Sequence, residues 1–421
     1  MRRAGRGCAV ALLAAALSAC GASELPEATE TPEPPAARAE APAASAALPA
    51  ITPPKNRVKT PFPGEASPDL ESAIELLADT VDAHASDPEN PWAVAHGLLA
   101  RGAGFTLSDG EPAVEAMFKD YAFEEELGGR ALVGFPRKRG EIRIEPHTDL
   151  LLKAMTEAGV DPSLAVEVDG HPHEVGDLWR HSLLTTWLNL GNGESSFDSP
   201  NDMPWGIQAI AAWAPENLQW AAAQGTPMSM NDMTRLMVHV LHTESGFMLQ
   251  AMAAGEDFQK RGQGIFQYTC GGAHLLQGGA FVVARGFGGE DELEKLRQQG
   301  ALLYYRFPRE LAITTSGAAQ RPDMALILMV QQLKFVGHWL ESAHKLAASG
   351  IYPPSGAERQ VMAQALVALV DTVSALKRLG AYDNLDTIRL ENEQLYLDLI
   401  GDSAHALHGV ELALGRAEYI Y

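Results

Sequence analysis

From residue 67 onward one pattern repeats: apolar residues recur at three- and four-residue steps, and the runs close on glycine. The closing glycines are Gly102, Gly191, Gly350, Gly380 and Gly415. A stripe of that period is the buried face of an α-helix. A glycine just past it can take the left-handed conformation that ends a helix. In 357–379 the stripe is Val361, Ala365, Leu366, Leu369, Val370, Val373 and Leu376. Helix starts are marked by Ser67-Pro68, Pro91, Pro204, Ser229 and Pro322-Asp323. The spacing predicts helices over 68–86, 92–103, 147–158, 173–190, 204–223, 229–253, 263–285, 290–305, 323–348, 357–379 and 384–414, the last broken near Gly401-Asp402. The fold class expected is all-α, an array of paired helical hairpins.

One region departs from the pattern. Residues 130–145 carry a local excess of basic charge without helical spacing. Residues 164–172 alternate apolar and polar around Asp169-Gly170, a hairpin turn signal. A small irregular or β insertion is expected near 130–172.

Several helices share a loose theme, a histidine near the start of an apolar run: His96, His181, His274, and His405 with His408. This arrangement resembles the α/α-toroid architecture of terpene cyclases, lanthionine cyclases and several polysaccharide lyases. The resemblance implies inner helices converging on a central cavity. The alternatives are a superhelical solenoid and an irregular bundle.

The N-terminus is a different material. Arg2, Arg3 and Arg6 precede an apolar run from Cys8 to Leu17, within the length of a signal-peptide core. The run closes on Leu17-Ser18-Ala19-Cys20. This resembles the bacterial lipoprotein signal, cleaved before the cysteine. The resemblance implies a signal peptide over 1–19, lipid on Cys20, and a membrane anchor through that lipid. Gly21 and Ala22 follow, with no Asp after the cysteine. In bacteria with two membranes that pattern implies the outer membrane. Ten prolines fall between Pro26 and Pro63 among many alanines, with almost nothing to bury. Residues 20–66 are therefore expected to be a disordered tether. In polyproline form it would reach on the order of 100 Å. Residues 67–421 are left as the helical domain.

The chain carries 54 acidic and 32 basic residues, a net charge of −22. A surface this acidic argues against nucleic-acid partners and against adhesion to anionic lipid. With Cys8 removed and Cys20 lipidated, Cys270 is the remaining thiol, in a compartment that permits disulfides.

YTCGGAHLLQGG, Tyr268 to Gly279, sets Cys270 and His274 one helical turn apart. Thiolate and imidazole suit two corners of a tetrahedral zinc site, with His239 and His242, or His405 and His408, as further candidates. The adopted reading is structural: four glycines permit close packing and Cys270 fills a small apolar space. No cofactor is then needed, and zinc is the alternative. Catalytic candidates are His242, Glu244, His274 and His408. Asp202, Glu341, Asp402 and Glu411 are further carboxylates that separate elements could pair. Trp179, Trp187, Trp205, Trp213, Trp220 and Trp339 are read as core, with sugar stacking as the alternative. No nucleophile elbow, P-loop or dinucleotide fingerprint is present.

Two functions follow. The first is an envelope lipoprotein whose helical domain binds a protein or glycan partner or is structural. The second is an α/α-toroid envelope enzyme acting on a glycan or peptide, with or without zinc. They part on whether His96, His181, His242, His274 and His405 converge or scatter.

Overall fold

The structure is a computed structural model; it describes residues 48–189 and 193–421. Signal peptide, Cys20, the tether up to 47 and Gly191 lie outside the described residues. The rest is mostly helical, with short antiparallel strand pairs.

The helices are α1 Pro68–His84, α2 Pro91–Arg101, α3 Ala113–Tyr121, α4 Leu150–Glu157, α5 Val175–Thr185, α6 Met203–Ala212, α7 Met230–Glu244, α8 Gly246–Ala254, α9 Ala273–Ala284, α10 Glu290–Gln320, α11 Ala325–Ala348, α12 Gly356–Arg378, α13 Leu385–Glu391 and α14 Glu393–Ala413. The chain's own signals account for many of the ends. Ser67 accepts from Leu70 N–H at 3.2 Å, and Ser355 with Glu358 forms a reciprocal cap. Gly102, Gly350, Gly380 and Gly415 all have positive φ just past helix ends, as expected.

Several helix boundaries differ from the sequence reading. Residues 113–121, not foreseen, are helical although Pro112 offers no side-chain cap. The stretch 229–253 divides at Ser245 into α7 and α8. Residues 204–223 stop helically at Ala212, and strand β8 Gln219–Ala221 pairs with β9 Pro227–Ser229 as a hairpin. Helix α10 runs past 305 to Gln320 and through Pro308. The last helix breaks at Asn392, which caps Leu395 N–H at 3.1 Å, and not at Gly401-Asp402. Gly401 stays within the helix, where a side chain would strike the Trp92 ring, 2.5 Å from where its Cβ would be.

The β insertion is present and larger than expected. Strands β2 Phe123–Leu127 and β3 Arg130–Gly134 form one hairpin, β4 Lys138–Arg139 and β5 Ile142–Arg143 a second, β6 Ala165–Val168 and β7 His171–Glu174 a third. Asp169 and Gly170 turn the third with φ of 51° and 82°, the left-handed pair that two-residue hairpins require.

The tether ends earlier than 66. Strand β1, Arg57–Val58, pairs with β10, Tyr419–Ile420, at the far end of the chain. Thr52 N–H donates to Trp213 O at 2.8 Å, Thr60 Oγ1 meets His344 Nδ1 at 2.9 Å, and Gly64 N–H donates to Ala413 O at 2.9 Å. Proline-rich sequence carries little to bury, but its backbone can still be held by groups of the domain. Deleting residues 48–66 should lower Tm by several degrees, because His344 and Ala413 lose their partners. Thermal melts check this; an unchanged Tm would show the contacts are idle.

Helices α11 and α14 form the centre. Their backbones meet at glycine: a Cβ on Gly337 would lie 2.8 Å from Ala406 N, and one on Gly409 2.8 Å from Gly337 O. From Met329 to Ala347, α11 is buried almost all round. Trp179, Trp213 and Trp339 are core residues, and the Trp179 and Trp339 indoles donate to backbone carbonyls.

Candidate functional site

A buried polar stripe runs along α11 inside that core. His338, Glu341, Ser342 and Lys345 fall at i, i+3, i+4 and i+7, so they share one face. Glu341 is 0% exposed. Its carboxylate meets His405 Nδ1 at 2.9 Å, His408 Nδ1 at 2.6 Å and His338 Nδ1 at 3.3 Å, and accepts from Gln277 Nε2 at 3.2 Å. An ionised carboxylate only accepts, so each of these imidazoles carries its proton on Nδ1. In a neutral ring so placed, Nε2 is a lone pair.

A second hub lies alongside. Glu157 on α4 accepts from Lys153 Nζ at 2.7 Å, Lys345 Nζ at 3.1 Å and Gln208 Nε2 at 2.8 Å. Gln277 joins the hubs, since its Oε1 also accepts from Lys345 at 3.1 Å. Burial alone would push the Glu157 carboxyl up; Lys153 and Lys345 outweigh it and hold it far below the carboxylate range. Burial likewise opposes ionisation of Glu341, and His405, Lys345 and the imidazole hydrogen bonds reverse that. Burial would lower Lys345, but Glu157 and Glu341 hold it above the usual lysine value.

Burial favours the neutral form of three of the histidines around the hubs, His96, His274 and His405. Burial takes His96 down to about 4, although its Nδ1–H donates to Trp92 O at 2.7 Å. Burial first, then the His338 ring, pushes His274 and His405 well below the usual histidine range.

These groups border a cavity of about 70 Å³. Its rim is half-buried: Trp92, His96, His147, Thr269, Cys270 and Asp398. Its interior is lined by Lys153, Glu157, His274, Lys334, His338, Asp402 and His405. Lys334 Nζ is 3.4 Å from Asp398 and 3.8 Å from Asp402. The His147 ring stacks on Trp205 at 4.0 Å, and its Nδ1 meets Asp202 Oδ1 at 2.9 Å. The Trp205 ring lies 4.4 Å from His274.

The stretch around Cys270 corrects the sequence reading. Cys270 and His274 are not on one helical face. Residues 269–272 form a tight turn before α9, in which Cys270, Gly271 and Gly272 have φ of 55°, 61° and 79°. For a side-chain residue the left-handed region costs about 1–2 kcal/mol. The turn is held from outside: Asn201 clasps Thr269 through two hydrogen bonds, and Arg306 donates to Gly271 O at 3.1 Å. Gly272 is required by the Ile265 side chain, 2.2 Å from where its Cβ would be.

The turn still brings Cys270 to His274, together with His338. Ligand atoms of these three lie within 4.8 Å of one another, as do those of His338, Glu341 and His405. The protein thus has a His/Cys/Glu cluster of metal-ligating type.

The other candidates fall elsewhere. His239 and His242 on α7 and Glu244 at its end belong to neither group. His181 lies beside Glu125, 3.3 Å away, and the edge of Phe123. His408 joins the Glu341 hub; Glu411 is half-buried outside the cleft. Of the five histidines expected to converge or scatter, His96, His274 and His405 converge, and His181 and His242 do not. His338, Lys153, Glu157 and Lys345 were missed. The polar pattern His338-x-x-Glu341-Ser342-x-x-Lys345 on an apolar helix was a signal for part of them.

The chain matches no protein-family model, no curated protein and no solved structure.

Proposed function

We propose that this chain is a lipid-anchored protein of the bacterial cell envelope whose helical domain takes the polar end of a small peptide or glycan fragment into the central cleft. One observation carries the reading: the ions Lys153, Glu157, Lys345 and Glu341 are kept buried at or behind a cavity wall. Buried ion pairs are poor stabilisers compared with packed apolar side chains. Their retention beside a cavity fits recognition of a polar group. A space of about 70 Å³ has room for a few waters, or for a carboxylate, amide or hydroxymethyl end.

The anchor rests on Leu17-Ser18-Ala19-Cys20. Among the described residues no helix is long and apolar enough to cross a membrane. In the toroid-like architecture that the sequence resembles, inner helices converge on a cavity. Here α2, α4, α9, α11 and α14 all contribute to the cleft, which supports that likeness. A second reading makes the cleft that of an envelope enzyme, with zinc as its cofactor. The meeting of His96, His274, His338 and His405 favours it.

Thermal melts of the mature protein with peptides and sugar fragments test the binding reading. At about 100 times its Kd a true ligand stabilises by about 2.7 kcal/mol, a shift of roughly 4 °C for a chain of this size. The shift is expected to vanish in Glu157→Gln. If no fragment moves the melt, or if the shift persists in that variant, the cleft is not the binding site. Mass spectrometry of the membrane-extracted protein should find lipid on Cys20, and a soluble mature form starting elsewhere would exclude the anchor.

A further inference from the structure

We infer that Cys270 Sγ, His274 Nδ1 and His338 Nε2 together hold one divalent metal ion of the zinc class at the wall of the cleft. This deepens the reading of the cleft as a ligand site and rests on it only for what would occupy the metal's fourth position.

Three independent observations meet there. One ligand atom from each of Cys270, His274 and His338 lies within 4.8 Å of the other two. Corners of a tetrahedral zinc site with nitrogen and sulfur ligands are about 3.3–3.7 Å apart, so a contraction of roughly 1 Å completes the site. Second, His274 Nδ1 and His338 Nε2 are both buried with no hydrogen-bond partner. Buried imidazole nitrogens are almost always partnered, and two of them beside one thiol point to an acceptor-loving guest. Third, Cys270 occupies a left-handed position that glycine or asparagine would fill with less strain. The clasp by Asn201 and Arg306 fixes that turn, so the thiol is delivered to the cleft by the surrounding structure.

The other group, His338, Glu341 and His405, is not a rival ligand set. The Glu341 oxygens already face three imidazole Nδ1 atoms and the Gln277 amide. Glu341 instead has the place of the outer carboxylate found behind metal-bound histidines: it takes the Nδ1–H of His338 and so turns Nε2 toward the metal. Trp205 walls the His274 ring on one side. Soft thiolate with two imidazoles selects zinc over magnesium or calcium. The fourth position opens to the cleft, where a water or the polar end of a ligand would complete the shell. A three-ligand site with an open corner is the arrangement of zinc centres that act on what they bind.

The full mature chain, extracted in detergent, stripped with a chelator and dialysed against zinc or cobalt, decides this. About one equivalent of zinc is expected. The cobalt form should show a thiolate-to-metal charge-transfer band and tetrahedral ligand-field absorption. Cys270→Ser should abolish the band. His274→Gln and His338→Gln should each weaken binding by about 100-fold or more. Cys270→Gly relieves the strained turn and should fold while losing the metal, so a folding defect cannot imitate the result. Less than about a tenth of an equivalent in wild type overturns the inference, as does a full equivalent retained in Cys270→Gly. Fragment binding measured on the metal-free protein keeps the two readings apart: a melt shift without metal leaves the cleft reading standing alone, and metal without any fragment shift leaves the centre standing without it.

Discussion

Between pH 6.5 and pH 4 the helical domain is expected to lose most of its stability. His96 and His344 are buried neutral, each lowered by burial to about 4. His274 and His405 lie well below the usual value for the same first cause. In the unfolded chain all four return to about 6.5. Between those values the unfolded chain binds more protons, so stability falls as pH falls. The contribution is fully present above pH 6.5 and is spent as the folded pKa is approached. His96 and His344 alone remove on the order of 3 kcal/mol each by pH 4, against a total of about 5–15 kcal/mol for a typical domain. Protonating His344 also disturbs its contact with Thr60, so the 48–66 segment should loosen with the core. Glu157 and Glu341 are depressed; their contribution holds above about pH 4.3 and is lost only below it. Lys345, raised, contributes below about pH 10.5 and matters only in alkali. Urea melts followed by circular dichroism at half-unit steps from pH 8 to 4 measure this. A flat stability down to pH 5 would mean these histidines are not buried neutral.

How much of this was legible differs between fold and site. The helices were legible because their apolar stripes and glycine stops are local: Gly350 and Gly380 end α11 and α12 where the stripes do. Asp169-Gly170 gave the hairpin for the same reason, since two left-handed residues are a property of the dipeptide. The turn at Thr269–Gly272 was not legible as a turn. Its strain is upheld by Asn201 and Arg306, which no local pattern connects to Cys270. Pro308 reads as a helix breaker, yet α10 continues through it. The acidic net charge said nothing about the ions inside. Lys153, Glu157 and Lys345 look like ordinary surface charges until α4 and α11 are set side by side. Cys270 with His274 was legible as a pair but not in geometry. His239 and His242 resembled a ligand pair in spacing, and only the fold separates them from the cleft.

Replacing Glu341 with glutamine should be among the most damaging single changes in the chain. The carboxylate accepts from three imidazole Nδ1–H groups and one amide without donating to any. Glutamine keeps the volume, but its NH2 end would face N–H donors where an acceptor is needed. At least one imidazole must change tautomer or lose its bond, and no charge then balances Lys345 from this side. Breaking one partner of a buried charged network costs about 3–5 kcal/mol, or roughly 5 °C or more in Tm for a chain of this length. The effect should reach the cleft as well. With the Nδ1–H of His338 no longer pinned, its Nε2 lone pair is no longer directed at Cys270 and His274, and second-sphere losses of this kind weaken a metal about 10- to 100-fold. Ser342→Ala, one position on, removes a hydroxyl that accepts from Gln277 at 3.1 Å and donates to His338 O at 2.7 Å, and should cost about 1 kcal/mol. Paired melts of the two variants test the hub: if Glu341→Gln costs no more than Ser342→Ala, the carboxylate is not ionised in the folded chain and the histidine tautomers assigned from it are wrong.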